Sequence, residues 1–153
     1  MQSVDLTQLN QLDEDLNNLL NEIPEKRREL HERLADVIKS EVDTQIVKSG
    51  LNDSEGKIRE WQKPVVGSGG GYAAVHAVKG TTGANSPGAI TNYLENGHKI
   101  RRPTGKNKYY RPRIRKAYVD GFHFYNSASS SVESKAIAEA EEYVKEIAQR
   151  LEG

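Results

Sequence analysis

The N-terminal quarter of the chain has apolar residues three and four positions apart. They are Leu6, Leu9, Leu12, Leu16, Leu19, Leu20 and Ile23. This spacing predicts an amphipathic helix, because residues three and four apart share one helical face. Pro24 follows the stripe and predicts an interruption, since a proline inside a helix removes a hydrogen bond and clashes with the preceding turn.

A second apolar stripe lies between Pro24 and Gly50. It comprises Leu30, Leu34, Val37, Ile38, Val42 and Ile46, with Glu and Lys residues between them. Proline suits the first turn of a new helix, and glycine favours a helix end. The two stripes therefore predict an N-terminal helical hairpin over residues 5–49, with its break at Pro24.

Two candidate strands flank the glycine-rich run of residues 67–71. Residues 61–66 form the first, and Pro64 favours an edge position because proline cannot donate a hydrogen bond to the neighbouring strand. Residues 72–78 alternate well enough to form the second. The pattern predicts a hairpin with a glycine turn or mobile loop. A phosphate-binding loop is disfavoured, because no Gly-Lys-Ser/Thr follows the run and the next element is a strand.

The C-terminal half predicts a short helix, a basic loop, a strand and a long helix. The short helix covers residues 89–96 and ends at Gly97. Residues 98–113 look irregular, residues 115–119 form a strand, and Ser130 with Glu133 has the spacing of a capping box for the last helix. The predicted fold class is α+β, with a small antiparallel sheet packed against the long N-terminal helix and the C-terminal helix. We expect one domain over residues 1–153.

Charge is segregated along the chain although the net charge is zero. Residues 1–60 carry 14 acids and 8 bases, residues 61–119 carry 1 acid and 11 bases, and residues 120–153 carry 7 acids and 3 bases. A neutral balance therefore hides a strongly basic middle between two acidic ends. Such a distribution favours contact with acidic partners, which include the ends of other copies of the same chain.

Other features narrow the functional classes. The chain has no cysteine, which excludes disulfides and thiolate metal sites. No stretch approaches the roughly 20 apolar residues that span a bilayer, and the N-terminus lacks the pattern of a signal peptide, so we expect no membrane partner and synthesis in the cytoplasm. The histidines have no neighbour at metal-ligand spacing, and no Gly-x-Ser-x-Gly surrounds a serine. We expect no enzymatic activity and no catalytic, cofactor-binding or metal site.

The basic loop of residues 98–116 is the strongest functional candidate. It has nine Lys or Arg and no acid. Three interpretations stay open: contact with an acidic face of an adjacent subunit or partner, binding of single-stranded nucleic acid through phosphate contacts and base stacking, or a solvated arm. The candidate contact residues are Lys99, Arg101, Arg102, Lys106, Lys108, Tyr109, Tyr110, Arg111, Arg113, Arg115 and Lys116.

Three sequence blocks, in this order, resemble the tail-completion (head–tail joining, or neck) proteins of siphophages, contractile phages and defective prophages. The first comprises Gly50-Leu51-Asn52-Asp53, Gly56-Lys57-Ile58, Trp61-Gln62 and Val66-Gly67-Ser68-Gly69-Gly70-Gly71-Tyr72-Ala73-Ala74-Val75 and is similar to the family's central hairpin. The second, Ile90-Thr91-Asn92-Tyr93-Leu94-Glu95-Asn96-Gly97-His98, is similar to its short helix. The third, Val119-Asp120-Gly121-Phe122-His123-Phe124, resembles its glycine-aromatic turn.

The resemblance implies a structural component of a virion or phage-like particle. It implies an α+β subunit that forms a ring, commonly a hexamer, at the neck between a portal-side connector or stopper protein and the tail tube or tail terminator protein. DNA in the lumen is a further possible contact, and no catalysis or cofactor is implied. Two departures are that residues 52–58 vary the family's Asp-Thr-Gly-x-Leu-like motif and that the basic loop is long.

Overall fold

The structure is a computed structural model that describes residues 7–100 and 116–152. Its order is α1 (Thr7–Lys48), α2 (Lys57–Trp61), β1 (Gln62–Val66), β2 (Ala73–Ala77), α3 (Pro87–Asn96), β3 (His98–Lys99), β4 (Tyr118–Val119) and α4 (Phe124–Glu152). The strands form two separate two-stranded sheets, β1–β2 and β3–β4. The predicted α+β class, with a long N-terminal helix, small antiparallel sheets and a C-terminal helix, is confirmed.

The chain divides into two compact units. Unit 1 contains Met1–Ile38, Pro64–Val75 and Val132–Gly153, and unit 2 contains Lys39–Lys63 and His76–Ser131. Helices α1 and α4 and the β1–β2 hairpin each contribute residues to both units. The expected single domain over residues 1–153 stays a prediction.

Helix α1 runs without interruption through Pro24. The predicted break there, and with it the helical hairpin over residues 5–49, is wrong. A proline removes one N–H donor from the helix, but its ring can be accommodated by a local bend when no packing opposes it. Pro24 is exposed, as are the residues on either side of it. The predicted end of the helix is close to that observed, and Gly50 follows it with a left-handed φ of 77°.

The β1–β2 hairpin forms where the sequence predicted it. Its turn begins with the Gly67 N–H, which donates to the carbonyl oxygen of Tyr72 at 2.9 Å. Within unit 1 the glycine turn contacts α1, because the Arg27 guanidinium donates to the carbonyl oxygen of Gly69 at 2.9 Å. A Cβ atom on Gly70 would lie 2.9 Å from the Cα atom of Arg28. The glycines therefore let the turn approach the helix backbone closely.

Tyr143 of α4 holds α1 in unit 1. Its side chain is buried, and its hydroxyl donates to the carbonyl oxygen of Lys26 at 2.5 Å. Arg33 stacks over the Tyr143 ring at 5.1 Å and pairs with Glu146 at 3.0 Å. The bidentate hydrogen bond with Glu146 raises the pKa of Arg33, and Arg33 also pairs with Glu29 on its own helix.

Unit 2 has its core around the first turns of α4. Phe124 and Ala128 are buried, together with Val42 and Ile46 of α1. The buried Glu41 carboxylate accepts the hydroxyl of Ser131 at 2.7 Å. Helix α4 begins at Phe124, six residues before the predicted capping box at Ser130. That prediction of the helix start is wrong, and the carboxylate that caps the observed start comes from α3, as described below.

The short helix α2 was not predicted. Asp53 organises it, because its carboxylate accepts the N–H groups of Ile58 at 2.9 Å and Arg59 at 3.2 Å and pairs with the Arg59 guanidinium at 3.1 Å. Burial raises the pKa of Asp53, but these hydrogen bonds and the charge of Arg59 outweigh it, so the net pKa is lowered.

Candidate contact surface at the base of the basic loop

Helix α3 brings the chain to the base of the basic loop. Ser86 begins it, because its hydroxyl oxygen accepts the N–H of Ala89 at 3.2 Å and Pro87 provides a preset φ in the first turn. The helix ends at Asn96, and Gly97 follows with a φ of 74°. The predicted short helix is confirmed, with its start two residues earlier than residue 89.

The end of α3 lies directly against the segment that precedes α4. The N–H of Phe122 donates to the carbonyl oxygen of Leu94 at 2.7 Å, and the N–H of His123 donates to that of Glu95 at 3.2 Å. A Cβ atom on Gly121 would lie 2.1 Å from the Glu95 carbonyl oxygen. Only glycine permits this approach of two backbones. The second and third blocks of the family resemblance are therefore neighbours in space.

A buried polar network fixes this junction. The Glu95 side chain is buried and accepts the N–H groups of Tyr125 at 2.9 Å and Asn126 at 3.1 Å. These are N–H groups of the first turn of α4, which have no partner inside the helix. A carboxylate there is also favoured by the partial positive charge of the helix N-terminus. Glu95 therefore supplies the cap that local sequence does not.

Gln62 extends the network beneath α4. Its side-chain N–H groups donate to the carbonyl oxygen of Ile58 at 2.9 Å and to the hydroxyl of Thr91 at 3.4 Å. Its side-chain oxygen accepts the Tyr125 hydroxyl. Burial, and secondarily the charge of Glu95, raises the pKa of Tyr125 to about 12. The neutral phenol therefore stays a hydrogen-bond donor throughout the physiological pH range.

Strands β3 and β4 form a stem from which the basic loop leaves and to which it returns. His98 pairs with Val119 and Lys99 pairs with Tyr118 in antiparallel register. The N–H of Ile100 adds a hydrogen bond to the carbonyl oxygen of Ala117 at 3.0 Å. The Tyr118 hydroxyl donates to the carbonyl oxygen of Asn96 at 2.6 Å, which ties the stem to the end of α3.

One face of this stem is apolar and exposed. Because opposite residues in an antiparallel pair point to the same side and side chains alternate along each strand, Ile100 shares a face with His98 and Val119. The ring of Tyr93 lies 5.3 Å from that of His98, which continues the face onto α3. Tyr93, Ile100 and Val119 are all exposed. We call this surface, with His98 and Ala117, the stem face.

Two of the eleven predicted contact residues lie at the stem, where Lys99, paired with Tyr118, alternates to the side opposite the stem face. Lys99 lies in β3, Lys116 lies just before β4, and both are exposed. The structure therefore brings these two lysines to the two ends of the basic loop. The other nine predicted residues lie outside the described part of the chain, namely Arg101, Arg102, Lys106, Lys108, Tyr109, Tyr110, Arg111, Arg113 and Arg115.

Sequence patterns missed the apolar part of this surface. A strand of two residues gives no alternation to detect, and the predicted strand over residues 115–119 is reduced to Tyr118–Val119. His98 and Lys99, predicted to be irregular, are the paired partners of that strand. The usable signal was Ile100, an apolar residue directly before the long cationic run.

The described residues contain no group of three or more His, Asp or Glu side chains placed to hold a metal ion. Within the same residues, no helix combines the length and the apolar character needed to cross a membrane. Comparisons with protein-family models, with characterised proteins and with solved structures give no significant match to this chain.

Proposed function

We propose that the chain is a structural subunit of the neck of a bacteriophage or phage-like particle. Copies join head to tail into a ring, commonly of six, between the connector or stopper protein and the tail tube or tail terminator protein. The observation that carries the proposal is the stem, which sets an exposed apolar face and two lysines at the base of a strongly basic loop. An exposed apolar face is typical of a protein–protein contact.

Charge complementarity supports joining between copies. The first 60 residues carry a net charge of −6, and residues 61–119 carry +10. A contact between two different surfaces of one chain propagates and closes into a ring when the rotation allows. Opposite charges on those surfaces guide the encounter and set its register.

The test combines mass and location. We expect light scattering of the full chain, alone and mixed with connector and terminator proteins from the same gene cluster, to give a multiple of the subunit mass. We also expect the chain in purified particles. A chain that stays monomeric with every partner and is missing from particles would overturn the proposal. Val119→Asp, on the stem face, should reduce the mass measured by light scattering. The control is Val47→Asp, at another exposed valine, which should leave that mass unchanged.

A second candidate function is binding of single-stranded nucleic acid by the basic loop. Lys99 and Lys116 at the stem, with Tyr109 and Tyr110 among the cations of the sequence, favour it. We expect fluorescence anisotropy of a mixed oligonucleotide to show binding that weakens steeply with salt. Changing Arg111, Arg113 and Arg115 to Gln should flatten that slope.

The matched control removes the same charge elsewhere. Lys48, Lys63 and Lys79 are exposed and lie outside the basic loop, so their change to Gln should leave the salt slope nearly intact. Equal slopes for the two triple variants would assign the binding to general charge. No binding at low salt would end this candidate.

A further inference from the structure

The last residue of α3 belongs to the only Asn-Gly sequence of the chain, Asn96-Gly97. An asparagine that precedes glycine is prone to spontaneous deamidation, in which the next backbone nitrogen attacks the side-chain carbonyl carbon. Glycine favours this attack because it has no side chain to restrict the backbone. The Asn96 side chain is also exposed to the water that the reaction consumes. The dipeptide is therefore a candidate site of covalent modification.

The fold requires the glycine of this dipeptide. Gly97 has a φ of 74°, in the region that favours glycine. A Cβ atom on Gly97 would lie 2.4 Å from the carbonyl oxygen of Val119 and 2.8 Å from the backbone nitrogen of Gly121. Two backbone segments meet here, so a residue with a side chain does not fit. Resistance to deamidation therefore has to come from the contacts around the dipeptide.

Three hydrogen bonds restrain the groups that would react. The Gly97 N–H, which carries the attacking nitrogen, donates to the carbonyl oxygen of Tyr93 at 2.9 Å. The Asn96 side-chain amide donates to the side-chain oxygen of Asn92 at 2.9 Å. The Tyr118 hydroxyl donates to the backbone carbonyl oxygen of Asn96 at 2.6 Å, which fixes the peptide unit between Asn96 and Gly97. Attack requires the first bond to break and this peptide unit to turn.

We propose that Asn96 is a deamidation site that the stem protects and that reacts when the end of α3 opens. In the open chain the Gly97 nitrogen forms a bond to the Asn96 Cγ atom, and the bond between Cγ and Nδ2 breaks. Ammonia leaves with the proton of the Gly97 N–H, and a cyclic imide remains. Water then opens the imide at either carbonyl carbon, which leaves an aspartyl or an isoaspartyl residue at position 96.

Both products alter the junction between α3 and the stem. Each adds a carboxylate at the C-terminal end of α3, where the helix already carries partial negative charge. In the isoaspartyl product the main chain runs through the former side chain and is one methylene longer. The extra length disturbs the hydrogen bonds of Gly97 with Tyr93 and of position 96 with Tyr118. Deamidation therefore weakens the attachment of the stem to α3.

Peptide mapping by mass spectrometry measures the reaction in the full-length chain. Folded samples and samples unfolded in guanidinium chloride are incubated at neutral pH, and the fraction that has lost ammonia and gained water at position 96 is followed over time. We expect the folded chain to react at least about tenfold more slowly, because the reaction waits for local opening. Equal rates in the two states would overturn the proposal.

Tyr118→Phe tests the role of the stem. The Asn96 carbonyl oxygen loses its donor, so the folded variant should deamidate faster by about threefold to tenfold, the factor expected for one lost hydrogen bond. Its rate in guanidinium chloride should equal that of the native chain. Tyr72→Phe, at an exposed tyrosine outside the stem, is the control and should leave the folded rate unchanged. An unchanged folded rate in Tyr118→Phe would remove the protection that we assign to the stem.

Hydrogen exchange of the native chain provides a test that needs no variant. The Gly97 N–H has to leave the Tyr93 carbonyl oxygen before it can exchange or attack. Its protection from exchange should therefore match the slowing of deamidation to within about threefold. Strong protection with rapid deamidation in the folded chain would contradict reaction through opening. Both measurements use the isolated chain, so their outcome is independent of the proposed neck function.

Discussion

Glu95 caps the helix that begins at Phe124, because its carboxylate accepts the backbone N–H of Tyr125 at 2.9 Å. The two residues are thirty positions apart in the chain, and their contact connects the end of α3 to the start of α4. The same carboxylate accepts the N–H of Asn126. A capping residue that is distant in sequence, Glu95, therefore sets where helix α4 starts.

We predict that Glu95→Gln lowers the free energy of unfolding by about 1–2 kcal/mol. The amide oxygen can accept one of the two N–H groups, and the favourable charge at the helix N-terminus is lost. Urea unfolding followed by circular dichroism measures the change. Glu142→Gln on the exposed side of α4 is the control, and an equal loss in both variants would contradict the capping role.

Gly121→Ala should destabilise the junction by roughly 2–4 kcal/mol, because the new Cβ atom would meet backbone that has no room to shift. The nearest atom is the carbonyl oxygen of Glu95 at 2.1 Å. The measurement is thermal unfolding of Gly121→Ala and of a control variant, Gly88→Ala. Gly88→Ala, at a position in α3 where a Cβ atom meets nothing within 4 Å, should leave stability unchanged or raise it by up to about 1 kcal/mol.

We predict that the free energy of unfolding falls at alkaline pH because of the Tyr125 phenol. Its pKa is raised to about 12 in the folded chain, against about 10 in the unfolded chain. The stabilisation is therefore complete below pH ~10 and declines as the pH rises towards the folded value. Urea midpoints between pH 9 and 12 should fall more steeply for the native chain than for Tyr125→Phe.

Tyr72→Phe is the matched control for that series, since the Tyr72 side chain is exposed. It should follow the native chain across the whole alkaline range. At pH 8, Tyr125→Phe should also be less stable by about 1–3 kcal/mol, because the Gln62 side-chain oxygen loses its donor. Parallel alkaline curves for all three proteins would contradict the assignment.

We predict that the free energy of unfolding falls at acidic pH because of the Asp53 carboxylate. Its pKa is lowered in the folded chain, so its contribution is complete above the unfolded value of about 3.9 and is lost as the pH falls through the folded value. Asp53→Asn should cost about 1–2 kcal/mol at pH 7, since an amide cannot accept all three N–H groups. The difference from the native chain should narrow below pH 4. Asp36→Asn, at an exposed position, should show no such convergence.

The sequence was sufficient where local signals and packing agreed. The hairpin of β1 and β2 and the helix before Gly97 were predicted because glycine, proline and apolar spacing all indicated the same boundaries. The end of α1 near Gly50 followed from the same agreement. These features depend on residues within a few positions of each other.

The sequence misled where a distant group decided the outcome. Ser130 and Glu133 have the spacing of a local cap, but Glu95 starts the helix six residues earlier. Pro24 was predicted to break a helix, yet it sits on an exposed stretch where a bend costs no packing. The candidate site shows the same division. Lys99 and Lys116 were predicted as contact residues from the cationic run, whereas the stem face depends on strand pairing, and strands of two residues are too short to give a detectable sequence pattern.

The stem also brings the two ends of the basic loop together. The N–H of Ile100 and the carbonyl oxygen of Ala117 meet at 3.0 Å, so the chain enters and leaves the loop at one point. Closing such a loop costs only about 0.6 kcal/mol more for each doubling of its length. By loop closure alone, a change in the number of residues between Ile100 and Lys116, fifteen in this chain, therefore alters the free energy of folding only slightly. In this chain, the length of the basic loop can therefore vary without a large cost in loop-closure entropy.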